Sequence, residues 1–262
     1  TELRGAVLTF TDMTETLERE DALRRAVRQR EDVVSIVSHD LRNPLGVALA
    51  AADLLLDLPL DEQQRRRQAQ IIRRSGKRMQ NLIEDLLDAS RIEAGIFVVR
   101  PSQEDLVPIL HEAVSLFELQ ASSRSIDLRV EPDGPVLARV DRDRLIQAVS
   151  NLLDNAVRLT PEGGQVVASA AIGGPWVTIS VRDTGPGVPA GIAERIFDRF
   201  SQGEERSGGS SGLGLAIVKG VAAAHDGTAE VESTPGAGST FTLRLPVAGP
   251  ASGEEPAVEL LG

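Results

Sequence analysis

His39 and Asp40 stand side by side in the string SHDLRNPL, Asn43 follows four positions after the histidine, and Pro44 comes next. A carboxylate beside an imidazole can hold its Nδ1–H, fix the tautomer and leave the Nε2 lone pair free, as a histidine nucleophile requires. Asn43 offers a donor and an acceptor able to orient water. Pro44 cannot donate to the carbonyl of Asp40 and its ring crowds that carbonyl, so a bend or local loosening is expected beside the imidazole. By periodicity alone His39 is an ordinary solvated residue on a helix. The company of Asp40, Asn43 and Pro44 argues for chemistry.

A second constellation lies in the C-terminal half. In NLLDNAVRLTPEGG, Asn151 and Asn155 share one helix face, and Leu152, Leu153 and Val157 supply apolar contacts. An uncharged amide oxygen suits Mg2+, which keeps several waters and binds largely through nucleotide phosphates, so Asn155 is the candidate metal ligand. On WVTISVRD, Val177, Ile179 and Val181 point one way and, by the period of two, Asp183 points there too. A carboxylate aimed at an apolar face needs a donor, and an adenine exocyclic amine would serve; the plainer alternative is an Asp opening the DTG turn. Gly185 and Gly187 in DTGPGVP let the backbone approach a flat ring, and Gly212 and Gly214 in GLGLAIVKG would offer backbone N–H groups at a helix start to phosphates. Between them, IFDRF precedes SQGEERSGGSS, whose composition suggests a lid with a hinge. No G-x-x-x-x-G-K-[ST] loop occurs, nor H-R-D and D-F-G pieces, so a nucleotide site must be built another way.

The elements that must position these residues change character along the chain. From about Glu15 to Leu58 the sequence reads as one long helix, with Val34, Val37, Leu41, Leu45, Ala48, Ala52 and Leu55 on a heptad-like stripe. His39 and Asn43 fall on the opposite, outward face. After the LPLD turn a second helix runs to about Glu93, carrying Ile71, Ile72, Met79, Leu82, Ile83, Leu86 and Leu87. A two-helix hairpin leaves such a stripe wet, whereas two copies packed as a four-helix bundle would bury it, so a homodimer is expected. Beyond Gly95, strands are expected at 126–130, 136–140, 166–172, 176–183, 229–232 and 239–245, with helices at 106–121, 142–158, 189–199 and 213–224. This is an α/β sandwich with helices on one sheet face, giving an α+β chain overall.

The bulk composition narrows the functions. The 262 residues carry a net charge of −11, which repels phosphate backbones and anionic lipid heads and argues against nucleic acid or membrane contact by this portion. The chain has no cysteine, which removes disulfides and thiolate chemistry, and nothing in it approaches the apolar run that a membrane span needs. A cytoplasmic setting for this portion is the expectation, with membrane attachment of the full-length protein left open.

SHDLRNPL closely resembles the phospho-acceptor box of dimeric sensor histidine kinases. The strings NLLDNA, DTGPG, IFDRF and GLGLAIVK, in that order, resemble the N, G1, F and G2 boxes of the ATP domain shared by histidine kinases, type II topoisomerases, mismatch-repair ATPases and a heat-shock chaperone. The resemblance implies a HisKA-type dimerisation and phospho-acceptor hairpin followed by a GHKL-type ATP-binding domain of the Bergerat fold. It implies a protein-histidine kinase that uses ATP and Mg2+ to phosphorylate His39, with Asp40 as base and Asn43 positioning water for dephosphorylating a partner, and that passes the phosphoryl group to an aspartate of a response regulator. It also places Asn151, Asn155, Arg158, Asp183, Gly185, Gly187, Phe197, Phe200, Gly212, Leu213, Gly214, Lys219 and Thr240 around the nucleotide. HDG at His225 to Gly227 departs from the family's usual HGG and puts the local backbone in question, while His111 and His225 read as structural. The opening GAVLTFTDMT resembles the end of a PAS sensor domain. The domain expectations are thus a PAS-like end at 1–13, a signalling coiled coil at 14–32, the dimerisation and phosphotransfer domain at 33–96, a linker at 97–104, the ATP-binding domain at 105–247 and a disordered tail at 248–262.

Overall fold

A computed structural model of the chain describes residues 38–131, 134–199 and 212–250. The expectations for 1–13 and 14–32, for Val34, Val37 and Phe200, for the Gly- and Ser-rich segment at 201–211 and for the tail from 251 lie outside those residues. The chain divides into two compact units, Thr1–Met79 and Gln80–Gly262.

In the first unit helix α1 covers 38–57, and α2, Glu62–Glu93, begins there. They form the helical hairpin expected from the sequence. The turn between them ends in a reciprocal cap: Gln64 N–H donates to Asp61 Oδ1 at 2.7 Å, and Asp61 N–H donates to Gln64 Oε1 at 3.0 Å. Two of the orphan donors at the start of α2 are thereby satisfied. Helix α1 runs unbroken through Pro44, which is buried along with Ala51, while Leu45, Val47, Leu49, Leu54 and Leu56 stay exposed.

The second unit is built on a five-stranded sheet in the order β2-β4-β5-β7-β6, where β2 is Asp127–Glu131, β4 Gln165–Gly173, β5 Trp176–Asp183, β6 Thr228–Thr234 and β7 Gly238–Pro246. The β2–β4 pair is parallel and the others antiparallel. Helices α3 (Leu106–Ser115), α5 (Arg142–Leu159) and α7 (Gly214–Ala224) pack on one face. Their apolar stripes meet Val166, Ala168, Val177, Ile179, Val181, Leu243 and Leu245 in one core. The opposite face is polar, with the Ser169 and Ser180 hydroxyls 2.9 Å apart and the Arg244 guanidinium 4.8 Å from the Trp176 ring centre.

Three expectations need correction. The strand at 136–140 appears as β3, Leu137–Val140, but it leaves the main sheet to pair antiparallel with β1, Ser102–Asp105. The sequence SQED of β1 has no apolar alternation, and only its partner makes it a strand. The helix expected at 106–121 breaks at Leu116–Phe117 into α3 and α4, Glu118–Ser122, and that expected at 189–199 shortens to α6, Ala190–Ala193.

The last turns of α2 belong to this unit. Ala89 is buried in its core, and Ile92 fills a notch that any side chain at residue 220 would occupy, so Gly220 is required there. Asp88, 4% exposed, accepts from Arg144 at 2.7 Å, Gln147 at 2.9 Å and Arg91 at 3.1 Å. Arg199 donates to the Ala89 carbonyl and, at 2.7 Å, to Glu93. A buried carboxylate is tolerable because several donors share its charge.

Candidate functional site

In the first unit His39 lies in the first turn of the described part of α1. Its side chain is 70% exposed and its Nδ1 is 3.3 Å from Asp40 Oδ1. Asp40 is 19% exposed, and its Oδ2 is buried with no hydrogen-bond partner among the described residues. Asn43, one turn on, is exposed. The imidazole is therefore accessible at Nε2 while a carboxylate engages the other nitrogen. Such a ring can act as a nucleophile.

In the second unit the candidate nucleotide residues gather around one end of α5. This helix starts at Asp141, whose Oδ1 accepts from Arg144 N–H at 3.1 Å and whose Oδ2 accepts from Arg100 N–H at 2.7 Å. It ends under Arg124, whose guanidinium donates to the carbonyls of Val157, Arg158 (3.1 Å) and Thr160 (2.8 Å). A cation on the last carbonyls complements the helix dipole and fixes the end that carries the two asparagines.

Asn151 Nδ2 donates to the carbonyl of Gly214 at 3.3 Å, which joins α5 to the start of α7. Gly212 precedes that helix with φ +67. Leu213 is buried at 1% exposure, so its side chain belongs to the core, and Lys219 is exposed farther along α7. Asn155 Oδ1 accepts from Arg158 Nη2 at 2.6 Å. A cleft of about 580 Å³ beside α5 is lined by Glu84, Asp85, Asp88, Arg144, Gln147 and Asn151. Burial, with the charges of Asp88, Glu84 and Asp154, pushes the Asp85 carboxyl up to about 6.

Asp183 ends β5 with its carboxylate 7% exposed on the helix-covered face. Oδ1 accepts from Gly185 N–H at 2.8 Å, and the Ser239 N–H also bonds the group. Burial raises its pKa, and these two backbone donors oppose the rise. The glycines next to it are there for close approach: Gly187 has φ +74 and lies against the Thr234 carbonyl, and Gly238 has φ +104 and lies against the carbonyl of Asp183. Ser233 ties the two loops, accepting from Val188 N–H at 2.7 Å and donating to the Gly238 carbonyl at 3.0 Å.

Of the candidates only Asn151 lines that cleft, and Thr240 and Phe197 face elsewhere. Thr240 pairs in register with Arg182, so it faces the outer side of the sheet, whereas Ser239 pairs with Asp183 and is buried. Neighbouring residues of a strand lie on opposite faces, because side chains alternate. Phe197 packs edge-on against Phe241, with ring centres 6.2 Å apart, and so sits against the core. Ser233, Ser239 and Gly238, which the sequence reading did not single out, lie around Asp183. Ser239 pairs with Asp183, Ser233 pairs with Ser239 and Gly238 lies against the Asp183 carbonyl, and the alternation of Phe241, Leu243 and Leu245 is the local signal that puts Ser239 on the core face.

The residues present fit a magnesium nucleotide. Asn155 Oδ1 already receives a cationic donor at 2.6 Å, so it is a carbonyl oxygen placed for positive charge. Asp183 is a buried acceptor beside a wall from which side chains are excluded, suited to an amine on a flat ring.

Neither remaining histidine offers an exposed ring with one nitrogen held by a carboxylate. His111 is exposed on α3. His225 is fully buried, donating Nδ1–H to the Val221 carbonyl at 2.8 Å and accepting at Nε2 from Asp141 N–H at 2.9 Å. Asp226 takes the left-handed conformation at φ 57, the backbone that the usual glycine would favour.

Two family models match: the His Kinase A (phospho-acceptor) domain over residues 29–95, and the histidine kinase-, DNA gyrase B- and HSP90-like ATPase over 140–249. The sensor-like histidine kinase SenX3 of Mycobacterium tuberculosis is 37% identical over 220 residues, covering 83% of this chain and 54% of SenX3. The alginate biosynthesis sensor protein KinB of Pseudomonas aeruginosa is 36% identical over 251 residues, covering 93% of this chain and 40% of KinB. The chain thus spans about half or less of these relatives' length. Among solved structures, full-length ShkA in complex with AMPPNP superposes with a TM-score of 0.63 at 30% identity, covering 84% of this chain and 46% of ShkA. The catalytic domain of the histidine kinase ThkA gives 0.52 at 27% identity, covering 57% of this chain and 97% of that domain. With both domain types present in the same order as the two sites just described, the chain holds the phospho-acceptor and ATPase core of a histidine kinase.

Proposed function

We propose that this core phosphorylates itself at His39 from Mg-ATP and passes the phosphoryl group to an aspartate of a response regulator. The observation that carries the reading is the exposed His39 imidazole with Nδ1 engaged by Asp40 at 3.3 Å. The Nε2 lone pair attacks the γ-phosphorus, the N–P bond forms as the bond to the β-phosphate oxygen breaks, and ADP leaves. The proton stays on Nδ1, where Asp40 stabilises the developing positive charge. Asn151, Asn155 and Arg158 hold the phosphates, Asp183 accepts from the adenine amine, and Gly185, Gly187, Gly212 and Gly214 form the walls. Asn155 is the protein ligand of Mg2+, which supplies charge neutralisation on the phosphates. Asn43, exposed one turn after His39, orients water for hydrolysis of the phosphorylated regulator.

The active form is a homodimer. A single hairpin leaves Leu45, Leu49 and Leu56, which share one face of α1, in water, and a second copy packed as a four-helix bundle covers such a surface. ATP supply and a response-regulator partner place this portion in the cytoplasm, and no helix among the described residues is long and apolar enough to cross a membrane. The test is labelling with γ-labelled Mg-ATP: His39→Gln is expected to lose all label while binding nucleotide as before. Full labelling of that variant refutes the assignment.

A further inference from the structure

The pairing of Arg158 with Asn155 has chemistry beyond a phosphate contact. Arg158 lies near the C-terminal end of α5, and its Nη2 donates to Asn155 Oδ1 at 2.6 Å. The oxygen assigned to the metal thus accepts from a cationic donor. The Nε of the same guanidinium is buried and has no hydrogen-bond acceptor among the described residues. The Asp154 carboxylate stands 3.9 Å from it, outside hydrogen-bond reach. A buried N–H without an acceptor is costly, and a group kept that way is poised for a ligand that supplies one. A guanidinium presents Nε–H and one Nη–H as a parallel fork matched to two phosphate oxygens, and its other Nη2 hydrogen stays available for Asn155.

We propose that Arg158 is a built-in metal surrogate that bridges Asn155 and the nucleotide phosphates, so that the site holds ATP or ADP without Mg2+. The inference rests on the nucleotide reading of this site. Mg2+ and Arg158 then compete for one oxygen, Asn155 Oδ1. When the metal takes that oxygen, it also takes over much of the charge neutralisation. The arginine matters most when the metal is absent, whereas a simple phosphate contact would matter equally in both states.

The test is calorimetric titration of ADP into the full chain, once in EDTA and once in saturating Mg2+. Arg158→Met keeps the length and apolar stem but removes the charge and the fork. It is expected to weaken ADP binding about tenfold or more in EDTA and only about threefold or less in Mg2+. Arg158→Lys, a single point charge, should restore part of the EDTA affinity. Equal losses of Arg158→Met in the two conditions overturn the surrogate role. Absence of ADP binding by the unsubstituted chain in both conditions would instead overturn the nucleotide reading, so the two failures are distinguishable.

Discussion

Replacing His225 by leucine should change the pH dependence of stability in a defined way. The imidazole is fully buried at the end of α7, and its Nε2 is the acceptor for Asp141 N–H at 2.9 Å, just ahead of α5. Leucine fills similar space but leaves that N–H without its acceptor, at a cost of about 2 kcal/mol near neutral pH. The Val221 carbonyl loses the ring as a donor but keeps the His225 backbone N–H. Burial pushes the His225 pKa below its ordinary 6.5, outweighing the Val221 carbonyl and the charges of Asp141 and Asp226, which favour the proton. As pH falls through 6.5 the unfolded chain therefore takes up this proton before the folded one. The histidine's contribution is complete above that value and is lost as pH drops through the window down to the folded pKa, at no more than about 1.4 kcal/mol per pH unit. Asp85 acts with the opposite sign: raised to about 6, it protonates in the folded chain before it does so in the unfolded one, near 3.8, and adds stability as pH falls between the two. Asp85 is common to both proteins and cancels in their difference. Urea unfolding can be followed by Trp176, the one tryptophan in the chain, which lies on β5 of the same unit. The gap between wild type and His225→Leu should be about 2 kcal/mol near neutral pH and should narrow steadily below 6.5. A gap that stays constant down to about pH 5 refutes the reasoning.

Asp183→Asn should weaken ATP binding at least about tenfold by calorimetry, because an amide that keeps its oxygen toward Gly185 N–H turns a donor toward the adenine amine. Gly238→Ala should destabilise the chain by about 2–4 kcal/mol in urea unfolding, since a methyl group there meets the Asp183 carbonyl at a backbone angle that only glycine adopts freely. Asp226→Gly should do the reverse, raising stability by about 0.5–1 kcal/mol by relieving the left-handed conformation. An unchanged or lower midpoint for Asp226→Gly contradicts that account.

Much of the architecture was legible because local patterns agreed with tertiary packing. The alternation of WVTISVRD located β5 with its ends as observed, and the glycine-containing turns marked the β4–β5 and β6–β7 hairpins. What failed was what depends on a distant partner. Ser102–Asp105 has a polar, turn-like sequence and becomes a strand only through Leu137–Val140. Alternation along β7 separates Ser239 from Thr240, but only the register of β7 on β5 brings Ser239 opposite Asp183. The Asp88 cluster was invisible for a similar reason: Asp88, Arg144 and Gln147 are far apart in sequence, and helical periodicity alone makes Asp88 a solvated residue. His225 was legible as structural because, although Asp226 follows it, nothing around it matches the SHDLRNPL string, but its acceptor role toward Asp141 is a long-range contact.

Phosphorylation of His39 leaves a chemical signature that a labelling experiment reads. The chain should be incubated with γ-labelled Mg-ATP, the label's stability measured in acid and in alkali, and the labelled peptide mapped. The expected label is a phosphoryl group that is labile to acid, stable to alkali and carried on His39 within SHDLRNPL. ATP hydrolysis with no stable label on the chain, or an acid-stable label on another residue, contradicts it.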